Sequence, residues 1–428
     1  MPDVEPIKCD VCVIGSGLAG MAAALFAAAR GLRVAQTGHT GEIIFASGLL
    51  DVLGVHPVSE KRLWSDPWAA IDALVRDNPH HPYARLKKAD IKAAFDEILT
   101  FLEETGLTYH RIVDRNTGVL TSLGTIKSTY AVPHTMWQGA SALKEKLACT
   151  ILDIRGLKGF SARQIAAACK NEWPDLRSEQ ISFPDCDHLN EVYAEHMANA
   201  LLLPLNREKF AKVVSPLVKK SKILGLPAIL GLYRTHEVIA ELEALIGVPV
   251  FEIPTIPPSV PGLRLKEAFE RGLRTKNVQY FSLTKALKVR QTTDKRFETY
   301  VGRDRVEHIV DSRGVILASG RFIGGGLFAD RTHIRETIFS LPVFQPGSRH
   351  DWHHRDFFDA RGHSINQAGV EIDDAFRPVD DSGRPAYEAL FAAGSILAHN
   401  DWKRLKCGAG LAIATAYGAV NSFMRINR

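Results

Sequence analysis

The sequence lacks the features that mark several large protein classes. It has only six cysteines, Cys9, Cys12, Cys149, Cys169, Cys186 and Cys407, at no regular spacing. That excludes a disulfide-stapled secreted scaffold and makes a reducing compartment, the cytoplasm, the expected location. Cys9 and Cys12 form a C-x-x-C pair on an expected strand, where positions three apart point to opposite faces, so neither a zinc site nor a redox pair follows. Charge of one sign is scarce: 53 basic and 48 acidic residues leave a net charge of +5. No basic stripe exceeds the cluster Lys219, Lys220, Lys222, which excludes nucleic acid as an expected partner. A leucine-rich membrane run is also missing. The uncharged stretch Val11 to Ala29 is built from alanine and glycine and broken at motif spacing, so it does not read as a membrane span. His350, His353 and His354 have no matching Cys or carboxylate spacing, and no metal is expected.

What is present is the composition of a globular α/β protein: 46% hydrophobic and 24% charged residues with 33 glycines in 428 residues, too long for a single core. Ile7 to Ile14 reads as a buried parallel strand, Leu18 to Arg30 as an Ala-rich helix stopped by Gly31, and Leu32 to Thr37 as the next strand. Between the first two stands Gly15-Ser16-Gly17-Leu18-Ala19-Gly20. This is G-x-G-x-x-G at a strand-to-helix junction, where glycines let backbone N–H groups and the helix dipole meet a phosphate. The fold class expected is therefore α/β, a Rossmann-like FAD/NAD(P)-binding fold whose nucleotide domain is discontinuous and carries an inserted α+β cap or substrate domain. The expected segments are 1–90, 256–325 and 374–428 for the flavin-binding domain, 91–255 for the inserted domain and 326–373 for a second cap insertion.

A dinucleotide site ends its second strand on Asp or Glu, which holds the adenosine ribose. Here Gln36 or Thr37 occupies that place; Glu42 lies past Gly38 and Gly41. FMN, which has no adenosine, loses nothing by the exchange, and FAD is kept as the alternative. Phe45-Ala46-Ser47-Gly48 follows at the distance of a flavin-facing loop, with Ser47 able to donate to a phosphate or to the ring. An apolar strand ends at Leu317-Ala318-Ser319-Gly320, and another at Leu390 to Gly394-Ser395. Cys407-Gly408-Ala409-Gly410-Leu411 then opens an Ala-rich helix whose dipole would face the pyrimidine edge of a flavin.

These segments resemble the B subunit of the anaerobic glycerol-3-phosphate dehydrogenases, a family of flavoproteins akin to the fumarate reductase flavoprotein. The likeness extends to Leu123-Gly124-Thr125-Ile126-Lys127-Ser128-Thr129, Pro257-Pro258-Ser259-Val260 with Gly262-Leu263-Arg264-Leu265, Gly325-Gly326-Leu327, Arg331 and Ile334-Arg335-Glu336. The stretch Ala398 to Lys406 departs from it in being more basic and bulkier. The resemblance implies an FMN-containing chain of an anaerobic respiratory complex. That chain pairs with a FAD-bearing catalytic subunit and an iron–sulfur membrane-anchor subunit, peripheral to the inner face of the cell membrane. Together they oxidise glycerol 3-phosphate to dihydroxyacetone phosphate and pass electrons toward quinone.

On this reading Gly15, Ser16, Gly17, Leu18, Ala19, Gly20, Thr37, Ser47, Gly48, Ser319, Gly320, Gly394, Ser395, Gly408, Gly410 and Leu411 hold the cofactor. Lys127, Arg264, Arg331 and Arg335 are expected to bind the anionic substrate, since arginine offers a two-point fork to phosphate. His134 and His399 are the expected bases, with Arg264 and Arg331 beside the reacting centre. Two readings compete: a free-standing FAD-dependent dehydrogenase or reductase of a small acid, and a cofactor-free scaffold subunit.

Overall fold

The computed structural model describes residues 5–39 and 42–426. The chain divides into two units: Met1–Glu42, Asp51–Phe101 and Phe269–Arg428 form the first, Ile43–Leu50 and Leu102–Ala268 the second. The crossings at Phe101 and Ala268 lie inside helices, Lys88–Glu104 and Val260–Thr275. The anticipated 90/91 and 255/256 boundaries therefore differ from the division seen, and 326–373 groups with the first unit. Ile43–Leu50 joins the second unit through the bridge Leu50–Ala131 and the Tyr109 hydroxyl, which donates to the Gly48 carbonyl at 2.7 Å.

The first unit is built on a seven-stranded sheet. Its order is Gln279–Ser282, Val34–Gly38, Ile7–Ile14, His308–Leu317, Phe297–Gly302 and Lys285–Gln291, with Leu390–Ala392 also paired to His308–Leu317. The first four strands and Leu390–Ala392 are parallel; the two others are antiparallel. The apolar strand expected to end at Leu317 is ten residues long, His308–Leu317. Because Ile7–Ile14 is covered on both faces its second half, Val11 to Ile14, is apolar, Val11 and Val13 being fully buried. Cys9 and Cys12 are buried in this strand, and burial pushes the Cys12 thiol up to about 12.

Leu18–Ala29 follows Ile7–Ile14 at once, so the uncharged stretch is strand, turn and helix. Alanine dominates this helix and lets it pack closely on Gly408–Ile426, where the Phe26 and Tyr417 rings meet edge-on at 5.2 Å. Among the described residues no helix is long and apolar enough to cross a membrane.

The second unit carries its own four-stranded sheet, Val250–Ile253, Ile223–Pro227, Cys149–Ile154 and Leu176–Ile181, all parallel. Leu152, Phe210, Leu224 and Leu242 sit in its core.

Candidate functional site

Parallel register brings four strand ends of the first unit to one edge of its sheet: Ile14 pairs with Thr37 and Leu317, and Leu317 with Ala392. In such sheets ligands bind beyond the carboxyl ends of the strands. The loops leaving that edge are stitched together. Gly15 N–H donates to Thr37 O at 2.8 Å, Ala318 N–H to Ile14 O at 2.8 Å and Ala393 N–H to Leu317 O at 3.0 Å. Gly15 has φ +131°, and a Cβ there would overlap the Ala318 carbonyl; a Cβ at Gly20 would overlap the Gly15 carbonyl. Both glycines are needed for the chain to turn this tightly.

Gly17 is different. It caps the Leu18–Ala29 helix with φ −75° and ψ 178°, a conformation open to any residue, and a Cβ there would meet nothing within 4 Å. No side chain caps the helix and its first turn holds no acid. The positive helix end thus opens onto free space, which suits an anion. Beside Gly15, the Ser319 hydroxyl is buried and has no hydrogen-bond partner. Gly394 (φ +82°) packs against Ala19 and donates its N–H to Thr415 Oγ1 at 2.8 Å. A phosphate-bearing flavin fits this edge: an uncapped helix end and an orphaned hydroxyl supply donors for which the protein provides no acceptor.

The far end of the second strand is closed by protein contacts. Thr37 Oγ1 lies 2.9 Å from Thr284 Oγ1, and both side chains are buried. Ser16 packs over Gly38 and hydrogen-bonds Tyr280, so its hydroxyl turns toward the neighbouring strand. Burial, then the Glu270 carboxylate, pushes the Tyr280 hydroxyl up to about 12. Glu270 is thus an acid close to this corner. Gly41 and the side chain of Glu42 lie outside the described residues.

At the other end of the edge two expectations need correction. Gly410 N–H donates to Asp51 O at 2.6 Å and Leu411 N–H to Cys407 O at 2.8 Å, so neither amide is free for a ligand. The cause is close packing: a Cβ at Gly410 would overlap the Tyr83 hydroxyl, and Gly408 lies under the Trp402 ring. Beside Tyr83, His81 is fully buried; its Nδ1 accepts the Tyr83 N–H at 3.1 Å and its Nε2 has no partner. Burial, with His399 and His56 nearby, pushes the His81 pKa down to about 3.

The loop after Gly394 is held by an arginine that the motifs do not include. Arg321, directly after Ser319-Gly320, donates to the carbonyls of Ser395 at 2.6 Å, Leu397 at 2.9 Å, Asn400 at 3.0 Å and Asn366. Its position next to a glycine-ended strand is the one sequence signal that could have found it.

The charged candidates scatter. Arg264 is not open to a substrate: it is 4% exposed and grips Glu252 with two contacts of 2.6 and 2.8 Å, while its Nε donates to Gly231 O at 2.8 Å. Burial of the partner carboxylate explains this, since an unpaired charge there would be costly. Arg331 and Arg335 are exposed around the hairpin Leu327–Ala329 and Ile334–Glu336 of the first unit, with Arg335 4.8 Å over the Phe328 ring. Lys127 lies half-buried in the strand Ile126–Thr129 of the second unit. Ser47 and Gly48 also belong to the second unit, where Ser47 Oγ accepts the Leu49 N–H at 3.4 Å.

His399, in the first unit, contacts Glu371 Oε1 through Nε2 at 2.7 Å and packs on Phe344, ring centroids 4.0 Å apart. His134, in the second, opens the helix His134–Glu145. Among the described residues no group of three or more His, Cys, Asp or Glu side chains is arranged to hold a metal.

The FAD binding domain family matches residues 10–411. The chain belongs to that family. It is accordingly a flavin-binding oxidoreductase with a Rossmann-like α/β fold. This FAD-binding-domain protein is 29% identical over 427 residues to the B subunit of anaerobic glycerol-3-phosphate dehydrogenase from Yersinia pseudotuberculosis, 96% of each chain being covered. It is 28% identical over 438 residues to the subunit of that name from Pectobacterium atrosepticum, covering 98% and 99%. Among solved structures it is similar to 3-ketosteroid Δ1-dehydrogenase of Sterolibacterium denitrificans, with TM-score 0.44, 12% identity and coverage of 98% and 100%. A flavocytochrome c3 fumarate reductase in its open conformation gives TM-score 0.43 and 9% identity, covering 98% of this chain and 78% of the other.

Proposed function

We propose that this chain is the flavoprotein B subunit of an anaerobic glycerol-3-phosphate dehydrogenase, carrying FMN. The observation that carries the reading is its likeness, over 96% of both chains, to a subunit of that name. In the complex so formed, glycerol 3-phosphate is oxidised to dihydroxyacetone phosphate. Electrons then pass toward quinone through a FAD-bearing subunit and an iron–sulfur subunit that holds the assembly at the inner face of the cell membrane.

A flavin supplies a hydride acceptor for such an oxidation. The residues that would hold it are the Gly15 to Gly20 turn, with its phosphate at the helix end by Gly17, together with Ser319, Gly320, Gly394 and Ser395. Arg321 fixes the loop from Ser395 to Asn400 and so the position of His399. With Glu371 orienting Nε2, the other ring nitrogen of His399 is the group we assign to receive the hydroxyl proton.

FMN is favoured because the second strand ends on a buried Thr37–Thr284 contact where an adenosine ribose wants a carboxylate. FAD is the second reading, and Glu270 favours it: that carboxylate reaches Tyr280, which touches Ser16.

The test is to mix the flavin-loaded chain anaerobically with glycerol 3-phosphate, alone and with its partner subunits, and follow the visible flavin band. Bleaching of the isolated chain places substrate oxidation here, and bleaching only in the complex places it in the partner. No bleaching in either case overturns the assignment.

A further inference from the structure

Three histidines distant in sequence meet in the second unit. His110 ends the two-residue strand Tyr109–His110, whose partner strand Val132–Pro133 runs directly into the helix beginning at His134. His236 lies in the first turn of the helix Thr235–Ile246. His110 Nε2 and His134 Nδ1 are 2.9 Å apart. The His134 and His236 rings lie with centroids 4.2 Å apart, and His236 Nε2 is 3.0 Å from Thr108 Oγ1. Trp137 stacks on His110 at 5.4 Å and 28°. We propose that His110, His134 and His236 form a binding site for a phosphate-type dianion, the charged end of a small phosphate ester.

The ligand class follows from what surrounds the rings. The two helices, 12 residues each, start without a side-chain cap: Pro133 has none to offer, and Arg234 makes no cap hydrogen bond. Two positive helix ends therefore point their field toward the imidazoles, which favours an anion and opposes a cation. Acids are few. Glu103 acts on His110 from a distance, and Glu237 is ion-paired to Arg234 at 2.6 Å.

Left to themselves His134 and His110 resist protonation. Burial, then His236 and His110, pushes the His134 pKa down to about 4, and burial and His236 lower that of His110. A dianion reverses the balance: it accepts the imidazole N–H bonds and makes protonation of a ring favourable. A metal ion would sit against both positive helix ends. His236 is exposed, so the cluster is open to solvent.

This proposal bears on the reading above only through its phosphate-bearing substrate, and its test needs no flavin. Imidazole resonances of the full chain are followed by NMR while inorganic phosphate replaces chloride at constant ionic strength. The expected result is saturable, concerted movement of the three rings, with the dissociation constant about tenfold weaker in His236→Gln and in His134→Gln. His236→Gln alters an exposed side chain, so loss of binding there cannot be laid to unfolding. Absence of saturation overturns the site, as does phosphate binding unchanged by both variants. Zn²⁺ shifting the same resonances where phosphate does not also overturns it. Any of these results leaves the flavin assignment intact, while a chain that takes up no flavin leaves the phosphate site intact.

Discussion

Replacing Gly17 with aspartate separates folding from cofactor binding at the first helix. Its backbone conformation suits any residue and a Cβ there meets nothing within 4 Å, so the new side chain enters without strain. Aspartate is a preferred helix cap, gaining a few tenths of a kcal/mol over glycine, and its charge at the helix end adds about 0.3–1 kcal/mol. The unliganded protein should melt no lower than the parent. The same carboxylate occupies the place assigned to the flavin phosphate. At about 4 Å and an effective dielectric of about 20, unit charges repel by about 4 kcal/mol, roughly three orders of magnitude in affinity.

Gly17→Asn, with similar capping and no charge, isolates the electrostatic part and should keep most of the binding. Fluorescence titration of the stripped protein with flavin, beside a melting curve, reads both quantities. Unchanged flavin affinity in Gly17→Asp would refute the placement of the phosphate.

Other expectations follow from single contacts. Arg321→Lys cannot reproduce the fork that reaches the carbonyls of Ser395, Leu397 and Asn400; each carbonyl left unpaired costs about 1–3 kcal/mol, and a lowered melting temperature with faster flavin loss should result. Arg264→Met strands the buried Glu252 carboxylate and should destabilise by about 3–5 kcal/mol in denaturant titration, where a substrate-binding arginine on the surface would alter KM alone. His81 and His134 have folded pKa values of about 3 and about 4, below the value of about 6.5 in an unfolded chain. The unfolded state therefore binds more protons between these limits, so stability present above pH about 6.5 is lost as pH falls through that window. In His81→Gln the acid limb of a stability-versus-pH curve should be shallower; an identical limb would contradict the buried neutral ring.

The parts legible in the sequence were those written in local pattern. Val11, Val13 and Ile14 before a glycine turn and an alanine-rich helix specify strand, turn and helix with little help from the rest of the chain. The strand ends at Leu317 and Ala392 carried the same mark. The second unit's sheet was less legible because one edge strand, Leu176–Ile181, is polar and half-exposed, and Ile223–Pro227 and Val250–Ile253 have only five and four residues. Arg264 was misread for a physical reason. Local spacing fixes where Arg264 stands on its helix, not that Glu252 lies within reach, and that pairing takes the guanidinium out of any substrate site. His110, His134 and His236 meet only through tertiary packing, and so does the closure of Gly410 by Tyr83 and Asp51.

The central claim is that the strand ends at Ile14, Leu317 and Ala392 hold one flavin mononucleotide with its phosphate at the helix start by Gly17. The most direct measurement is to denature the purified, coloured chain and identify the released cofactor by mass and by its ratio to protein. One FMN per chain is the result predicted. FAD would contradict the mononucleotide assignment, and a colourless chain that takes up neither flavin would contradict the site itself.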